Sequence, residues 1–221
     1  HHAANQSETR LRLNPDNLKT LLKSSYLAQL RHGPFTTEKL VGIAETEITE
    51  AINSGHLTEK RDGNTTQLSL TDKGRREIKV VLAGGVYDVL HLGHLAALTE
   101  AKAMGDLLVT VVATDVTVEM LKGRRPLFPE EDRRLLVEGL KPVDKAILGY
   151  EDVGMGYEEV IMEVMPDLIA FGYDQQNLEK SVQEIIDRRK MKIKTVRLSR
   201  FEHEKYLSST AVRVKLSEGS K

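Results

Sequence analysis

Two histidines, His91 and His94, stand three positions apart in the segment Gly84-Gly85-Val86-Tyr87-Asp88-Val89-Leu90-His91-Leu92-Gly93-His94, directly after a short apolar run from Lys79 to Ala83. Gly84 and Gly85 permit a tight passage from strand to helix, and Gly93 lets an anion approach the backbone closely. A helix N-terminus offers free N–H groups and the positive end of the dipole, so imidazoles placed there have the chemistry of a phosphate site. Taken alone the pair also reads as two ordinary capping or surface histidines. A zinc site is a weaker reading, because HExxH spacing is absent and the chain has no cysteine. Further along, Lys122-Gly123-Arg124-Arg125 is a basic loop, Arg133 follows the acidic start of a helix, and Gly172-Tyr173-Asp174 ends an apolar run. Each has a bland reading: solvated loop, helix-surface charge, strand-ending turn.

The elements that must hold these residues alternate. From about Ile78 onward, strand candidates lie at Lys79–Ala83, Leu107–Ala113, Lys145–Leu148, Leu168–Phe171 and Ile193–Leu198. Helical stretches run from Leu92 to Met104, Glu130 to Leu140, Tyr157 to Met165 and Leu178 to Lys190, with a last one from about Ser209 to Leu216. Alternation of this kind predicts an α/β domain, a Rossmann-like doubly wound parallel five-stranded sheet, with ligands at the C-terminal ends of its strands. The front of the chain has another texture. Leu18, Leu21, Leu22, Leu27 and Leu30 recur at helical spacing up to His32-Gly33-Pro34; a short helix is expected from Thr36 to Ala44 and a third ending at Gly55. Alternation from Leu57 to Leu70 around Asp62-Gly63-Asn64 predicts a hairpin. The expected organisation is therefore a tag remnant and disordered N-terminus over residues 1–13, a small winged-helix domain over 14–76, and the α/β domain over 77–221.

Composition narrows the partners. The 221 residues carry 32 Lys and Arg against 33 Asp and Glu, a formal net charge of −1, which argues against binding nucleic acid through bulk positive charge. Without cysteine there is no disulfide framework, and the most apolar run, Leu107 to Ala113, is strand-sized, so a cytoplasmic protein with no membrane span is expected. In the front domain, nine basic residues between Asn14 and Ile78 are cancelled by nine acidic ones, and the third helix carries Glu45, Glu47 and Glu50 with no Lys or Arg. A polyanion would be repelled by that helix, so DNA binding is not expected despite the winged-helix pattern. A dimerisation, docking or vestigial role is expected instead, although no exposed apolar stripe is legible that demands a homodimer.

Residues Gly85 to His94 resemble the GxFDxxHxGH signature of the HxGH nucleotidyltransferases of the cytidylyltransferase type, with Tyr87 in place of Phe. Ser208-Ser209-Thr210-Ala211-Val212-Arg213 resembles that superfamily's second motif, at the start of the last helix. The segments Asp115 to Glu119, Lys122 to Pro126, Pro129 to Arg134, Leu140 to Ala146 and Gly172 to Gln175 look most like archaeal-type FAD synthases, and less closely like glycerol-3-phosphate cytidylyltransferases. One departure is the lack of the C-terminal cysteines those synthases carry. The resemblance implies transfer of a nucleoside monophosphate from an NTP to a phosphate-bearing acceptor, with ATP and FMN favoured over CTP and glycerol 3-phosphate, a divalent metal such as Mg2+, and often a homodimer. It implies catalytic roles for His91, His94 and Lys122. It implies nucleotide contacts at Gly85, Val86, Tyr87, Asp88, Leu92, Gly93, Arg133, Gly172, Tyr173, Asp174, Ser208, Ser209, Thr210 and Arg213, and no metal ligand of the protein's own is assigned. A third reading, of another class, is a regulator whose α/β domain senses a nucleotide or flavin and whose winged helix reports to DNA.

Overall fold

The computed structural model describes residues 13–151 and 156–201, which fall into two compact units, one ending at Ile78 and one beginning at Lys79. In the first unit, helix α1 (Pro15–Gln29) has proline in its first turn and Asn14 as its cap, whose Oδ1 accepts from the Asp16 N–H at 2.9 Å. It buries Leu21, Leu22 and Tyr26. The helix expected from Thr36 to Ala44 is only a 3-10 turn, Thr37–Lys39. Gly42 there has a φ of +81° and Val41 is 89% exposed, so beyond Leu40 the segment has no apolar face to bury. Helix α2 (Glu45–Asn53) is followed by Gly55 at φ +75°, and strands β1 (Leu57–Asp62) and β2 (Thr65–Leu70) form the expected antiparallel hairpin. A five-residue helix α3 (Asp72–Arg76), absent from the sequence reading, is capped by Thr71 and packs so closely that a Cβ on Gly74 would lie 2.3 Å from the His56 carbonyl oxygen.

His56 itself is buried, with Nδ1 at 2.8 Å from the Ser54 hydroxyl. Burial, and then the nearby Lys73 charge, hold its pKa below the ordinary imidazole value. Protonation is therefore harder folded than unfolded: the stabilisation is complete above the unfolded value of about 6.5 and is lost as pH falls from there through the folded value. Denaturant unfolding at pH 7.5 and 5 should show the wild-type unit weakening with acid, and a His56→Asn variant should flatten that dependence.

The second unit holds the sheet. Strands β3 (Val80–Gly85), β4 (Leu107–Val112), β5 (Lys145–Leu148), β6 (Leu168–Phe171) and β7 (Lys194–Arg197) are all parallel, in the order β5-β4-β3-β6-β7. Helices α4 (Leu92–Lys102), α5 (Asp115–Lys122), α6 (Glu130–Glu138), α7 (Gly156–Val164) and α8 (Gln176–Arg189) connect them. Alternate strand residues face opposite layers. Val81, Leu108, Val112 and Ala146 pack with Leu98 and Ala101 of α4 and Val137 of α6. Leu82, Val111 and Ile169 line a cavity of about 30 Å³ with Val160 and Ile161 of α7 and Val182 of α8. Because the chain runs outward from β3 through β4 to β5 and then returns to β6, the strand order reverses between β3 and β6, which is where such sheets bind ligands.

One buried polar atom on β4 has no partner among the described residues. Thr110 is fully buried and its Oγ1 lacks a hydrogen bond among the described residues. Replacing it by the near-isosteric valine should stabilise this unit by about 1 kcal/mol, because the desolvated hydroxyl disappears without a change of shape. A differential scan should show a rise of about 2–4 °C, and a fall would indicate that the hydroxyl is satisfied.

Exposed apolar surface is also present, contrary to the sequence reading. Val116, Met120 and Leu121 of α5, Leu127 and Phe128 after it, and Leu135 and Leu136 of α6 are all between 43% and 65% exposed. Charged neighbours such as Glu119, Arg125, Glu131 and Arg134 mask that surface in the sequence. No helix among the described residues is long and apolar enough to cross a membrane.

Candidate active site

The loop from β3 to α4 begins inside the strand, since Gly84 and Gly85 are its last two residues, with the Gly85 carbonyl accepting from Ala113 N–H at 2.9 Å. Only glycine fits at position 85. A Cβ there would stand 2.8 Å from the Tyr87 ring, which folds back across the strand end with its backbone in the left-handed region at φ +53°. A non-glycine residue in that conformation costs on the order of 1–2 kcal/mol. The ring is buried in the core, which offsets the strain and pushes the phenol pKa up. Tyr87 thus supports the loop through its buried side chain, at a position where the resemblance implies a nucleotide contact.

On that support stand the two histidines. His91 caps α4, its Nδ1 accepting from the His94 N–H at 3.4 Å. The two imidazoles stack with centroids 3.7 Å apart and 20° between planes, and His94 meets the Tyr87 ring edge-on at 5.2 Å. His94 Nδ1 is buried with no partner among the described residues. Burial first, then the charges of His91 and Lys122, lower the His94 pKa to about 4, and burial also lowers that of His91. At neutral pH His94 is therefore an uncharged ring at a positively polarised helix end, and a polyanion placed there would favour its protonation. Leu92 and Gly93 form the first turn of α4, with Leu92 exposed.

Asp88 is buried and faces the chain rather than solvent. Its Oδ1 accepts from the Leu127 N–H at 2.6 Å and its Oδ2 lies 3.5 Å from an Arg124 nitrogen, so it tethers the basic loop to the histidine segment. That loop begins at Lys122, which is exposed at the end of α5; Gly123 ends the helix at φ +64°. Helix α5 was not anticipated. Thr114 caps it by accepting from the Thr117 N–H, and Glu130 Oε2 accepts from the Asp115 N–H at 2.6 Å.

Arg133 requires a correction. It was expected to reach phosphate, yet it is fully buried, donating to the Phe128 carbonyl at 3.0 Å, the Val86 carbonyl at 2.6 Å and Asp115 Oδ1 at 2.6 Å. Three of its five donors therefore bind the β3–α4 loop, the segment before α6 and the start of α5 to one another. Across the strand-order reversal, Gly172, Tyr173 and Asp174 follow β6, with Tyr173 and Asp174 exposed and the Arg200 guanidinium 5.6 Å from the Tyr173 ring centre. Gln175, to which no role was assigned from sequence, accepts from Gly172 N–H at 2.7 Å and donates to the Gly84 carbonyl at 2.9 Å. Ser208, Ser209, Thr210 and Arg213 lie outside the described residues. Tyr157 and Phe171 line the small cavity.

A family model described as cytidylyltransferase-like matches residues 82–215, a span that holds both strand ends, the stacked histidines and Gln175. The chain belongs to the cytidylyltransferase-like family. Within the family, it is 47% identical over 121 residues to a FAD synthase of Aciduliprofundum boonei, covering 55% of this chain and 78% of that one. It is 44% identical over 138 residues to a FAD synthase of Thermoplasma acidophilum, covering 62% of this chain and 94% of that one. Among solved structures, it resembles the lipopolysaccharide core biosynthesis protein of Thermoplasma volcanium at a TM-score of 0.52 and 42% identity, over 57% of this chain and 99% of the other. The cytidylyltransferase-like module is thus the second unit, and the family match leaves the first 81 residues uncovered.

Proposed function

We propose that this chain is an FMN adenylyltransferase. A phosphate oxygen of FMN bonds to the α-phosphorus of ATP, the bond from that phosphorus to the bridging oxygen breaks, and pyrophosphate leaves, giving FAD. One observation carries the reading: His91 and His94 stack at the N-terminus of α4, at the strand-order reversal of a chain 44% identical over 138 residues to a FAD synthase. Such a transfer needs alignment and charge neutralisation more than covalent help. The positive end of the α4 dipole, at the first turn with Leu92 and Gly93, and the two imidazoles hold the triphosphate; Lys122 closes over it as a positive charge. Gly85, Val86 and Asp88 shape the cradle, and Gly172, Tyr173 and Asp174 form its opposite wall. Ser208, Ser209, Thr210 and Arg213 add contacts to the triphosphate.

A divalent cation, Mg2+ on this reading, supplies charge neutralisation on the triphosphate when bound. Mg2+ needs only one or two carboxylates when substrate phosphates complete its shell, and the exposed Asp174 at a strand end meets that requirement. The first unit, with its α1–α2 pair and hairpin, is read as a winged helix that does not bind DNA, its α2 presenting Glu45, Glu47 and Glu50. A homodimer would have the apolar surface of α5 and α6 available to it. The whole is placed in the cytoplasm.

The test pairs ATP or CTP with FMN or glycerol 3-phosphate and follows pyrophosphate. Release with ATP and FMN, accompanied by FAD, is expected. Release only with CTP and glycerol 3-phosphate would replace this reading with an alcohol-phosphate cytidylyltransferase, and release with no pair, together with ligand-dependent retardation of duplex DNA, would favour a regulator.

A further inference from the structure

The ladder between β3 and β6 stops early. Its last pair is Ala83 with Ala170, although β3 continues through Gly84 and Gly85 and β6 through Phe171. Beyond that pair the Gly84 carbonyl and the Gly172 N–H do not bond each other; the side-chain amide of Gln175 stands between them, accepting from Gly172 N–H at 2.7 Å and donating to Gly84 O at 2.9 Å. The backbone fixes the amide further, because Gln175 N–H donates to the Gly172 carbonyl at 3.0 Å and closes the turn. Gln175 is also the N-cap residue of α8, yet its side chain makes no cap bond. Cap positions favour short side chains that satisfy the helix's own N–H groups, so a longer amide turned to the strand ends is a departure from what helix stability asks. At neutral pH, where a carboxyl of the same length is ionised and only accepts, the amide offers both a donor and an acceptor at this reach.

We propose that Gln175 is a positioning residue of the transfer reaction, a spacer whose amide sets the width of the crevice between β3 and β6 and so the distance between the histidine cradle and the Gly172–Asp174 wall. The inference rests on the nucleotide-transfer reading above. A ligand held by both walls is misaligned when that width changes, and a displacement of about 1 Å can cost on the order of 100-fold in rate. A strap with a merely structural role would lower stability and leave turnover alone.

The experiment compares wild type, Gln175→Met and Gln175→Glu by steady-state turnover of ATP and FMN and by calorimetric ATP binding, at pH 8 and pH 5.5. Methionine keeps the shape and offers neither partner; glutamate accepts from Gly172 but faces Gly84 O with a second oxygen until it is protonated. At pH 8 both variants should lose roughly 10- to 100-fold in kcat/KM for ATP and about tenfold in ATP affinity. At pH 5.5 the deficit of Gln175→Glu relative to wild type should shrink at least fivefold, while that of Gln175→Met should not. Should Gln175→Met fold poorly, the pH-dependent recovery of Gln175→Glu decides. Variants within twofold of wild type at pH 8, or a glutamate deficit independent of pH, would overturn the inference. A wild type that binds ATP but makes no FAD sinks the FMN reading alone, and the affinities of the variants then decide the spacer.

Discussion

Replacing His94 by alanine is expected to lower kcat by on the order of 10²–10³ while the protein stays folded. The basis is the loss of one preorganised donor to developing phosphate charge at the N-terminus of α4. If the imidazole acts mainly in the transition state, kcat and kcat/KM fall together and the KM for ATP changes little. The cost to folding should be modest. His94 leaves its stacking on His91 and its edge contact with Tyr87, aromatic pairs worth about 0.5–1.5 kcal/mol each, but its Nδ1 has no hydrogen bond among the described residues to lose. Stopped-flow or pyrophosphate-coupled kinetics beside a melting curve would check both halves. Turnover near that of wild type would remove His94 from the reaction, whatever the melting curve showed.

Arg133 should behave in the opposite way. Alanine there empties a fully buried position and strips donors from the Phe128 and Val86 carbonyls and from Asp115. Removing one partner from a buried charged network costs on the order of 3–5 kcal/mol, a large part of an ordinary domain's stability. Arg133→Met, which keeps the stem's packing, should lose less, and Arg133→Lys should not restore the wild type, because one ammonium cannot reproduce a planar fork serving three acceptors. Denaturant midpoints separate this role from the one read in the sequence. A phosphate contact predicts weakened ATP affinity with stability intact; a brace predicts lost stability first. An Arg133→Ala variant melting within a degree or two of wild type would contradict the brace.

These two residues show what the sequence makes legible. His91 and His94 were readable because glycines, imidazoles and a preceding apolar run coincide within a dozen residues, a combination with few other uses. The parallel sheet was readable because inner strands such as β4 and β6 are nearly continuous apolar runs, buried on both faces. Arg133 was misread because it sits in Glu130-Glu131-Asp132-Arg133-Arg134, where four charged neighbours suggest a solvated helix face, and burial of a charge is decided by tertiary partners from distant segments. The apolar surface of α5 and α6 was hidden for the related reason that charged residues interleave it. Helix α5 was missed because eight residues give little periodicity; its start depends on Thr114 and on Glu130, fifteen positions from Asp115. Gln175 stands in a segment that carries the family resemblance, but nothing in the sequence indicates what its side chain does. Its meaning comes from a ladder that ends one pair early, a fact of register between strands some ninety residues apart.

The central claim is that the stacked imidazoles at the start of α4 receive a nucleoside triphosphate. Histidine side-chain NMR during titration with ATP and Mg2+ tests it most directly. Of the chain's seven histidines, two resonances should move together with saturation, toward the protonated form, and each should be assigned by its disappearance in His91→Ala or His94→Ala. Saturable ATP binding that leaves both of those resonances in place would contradict the account.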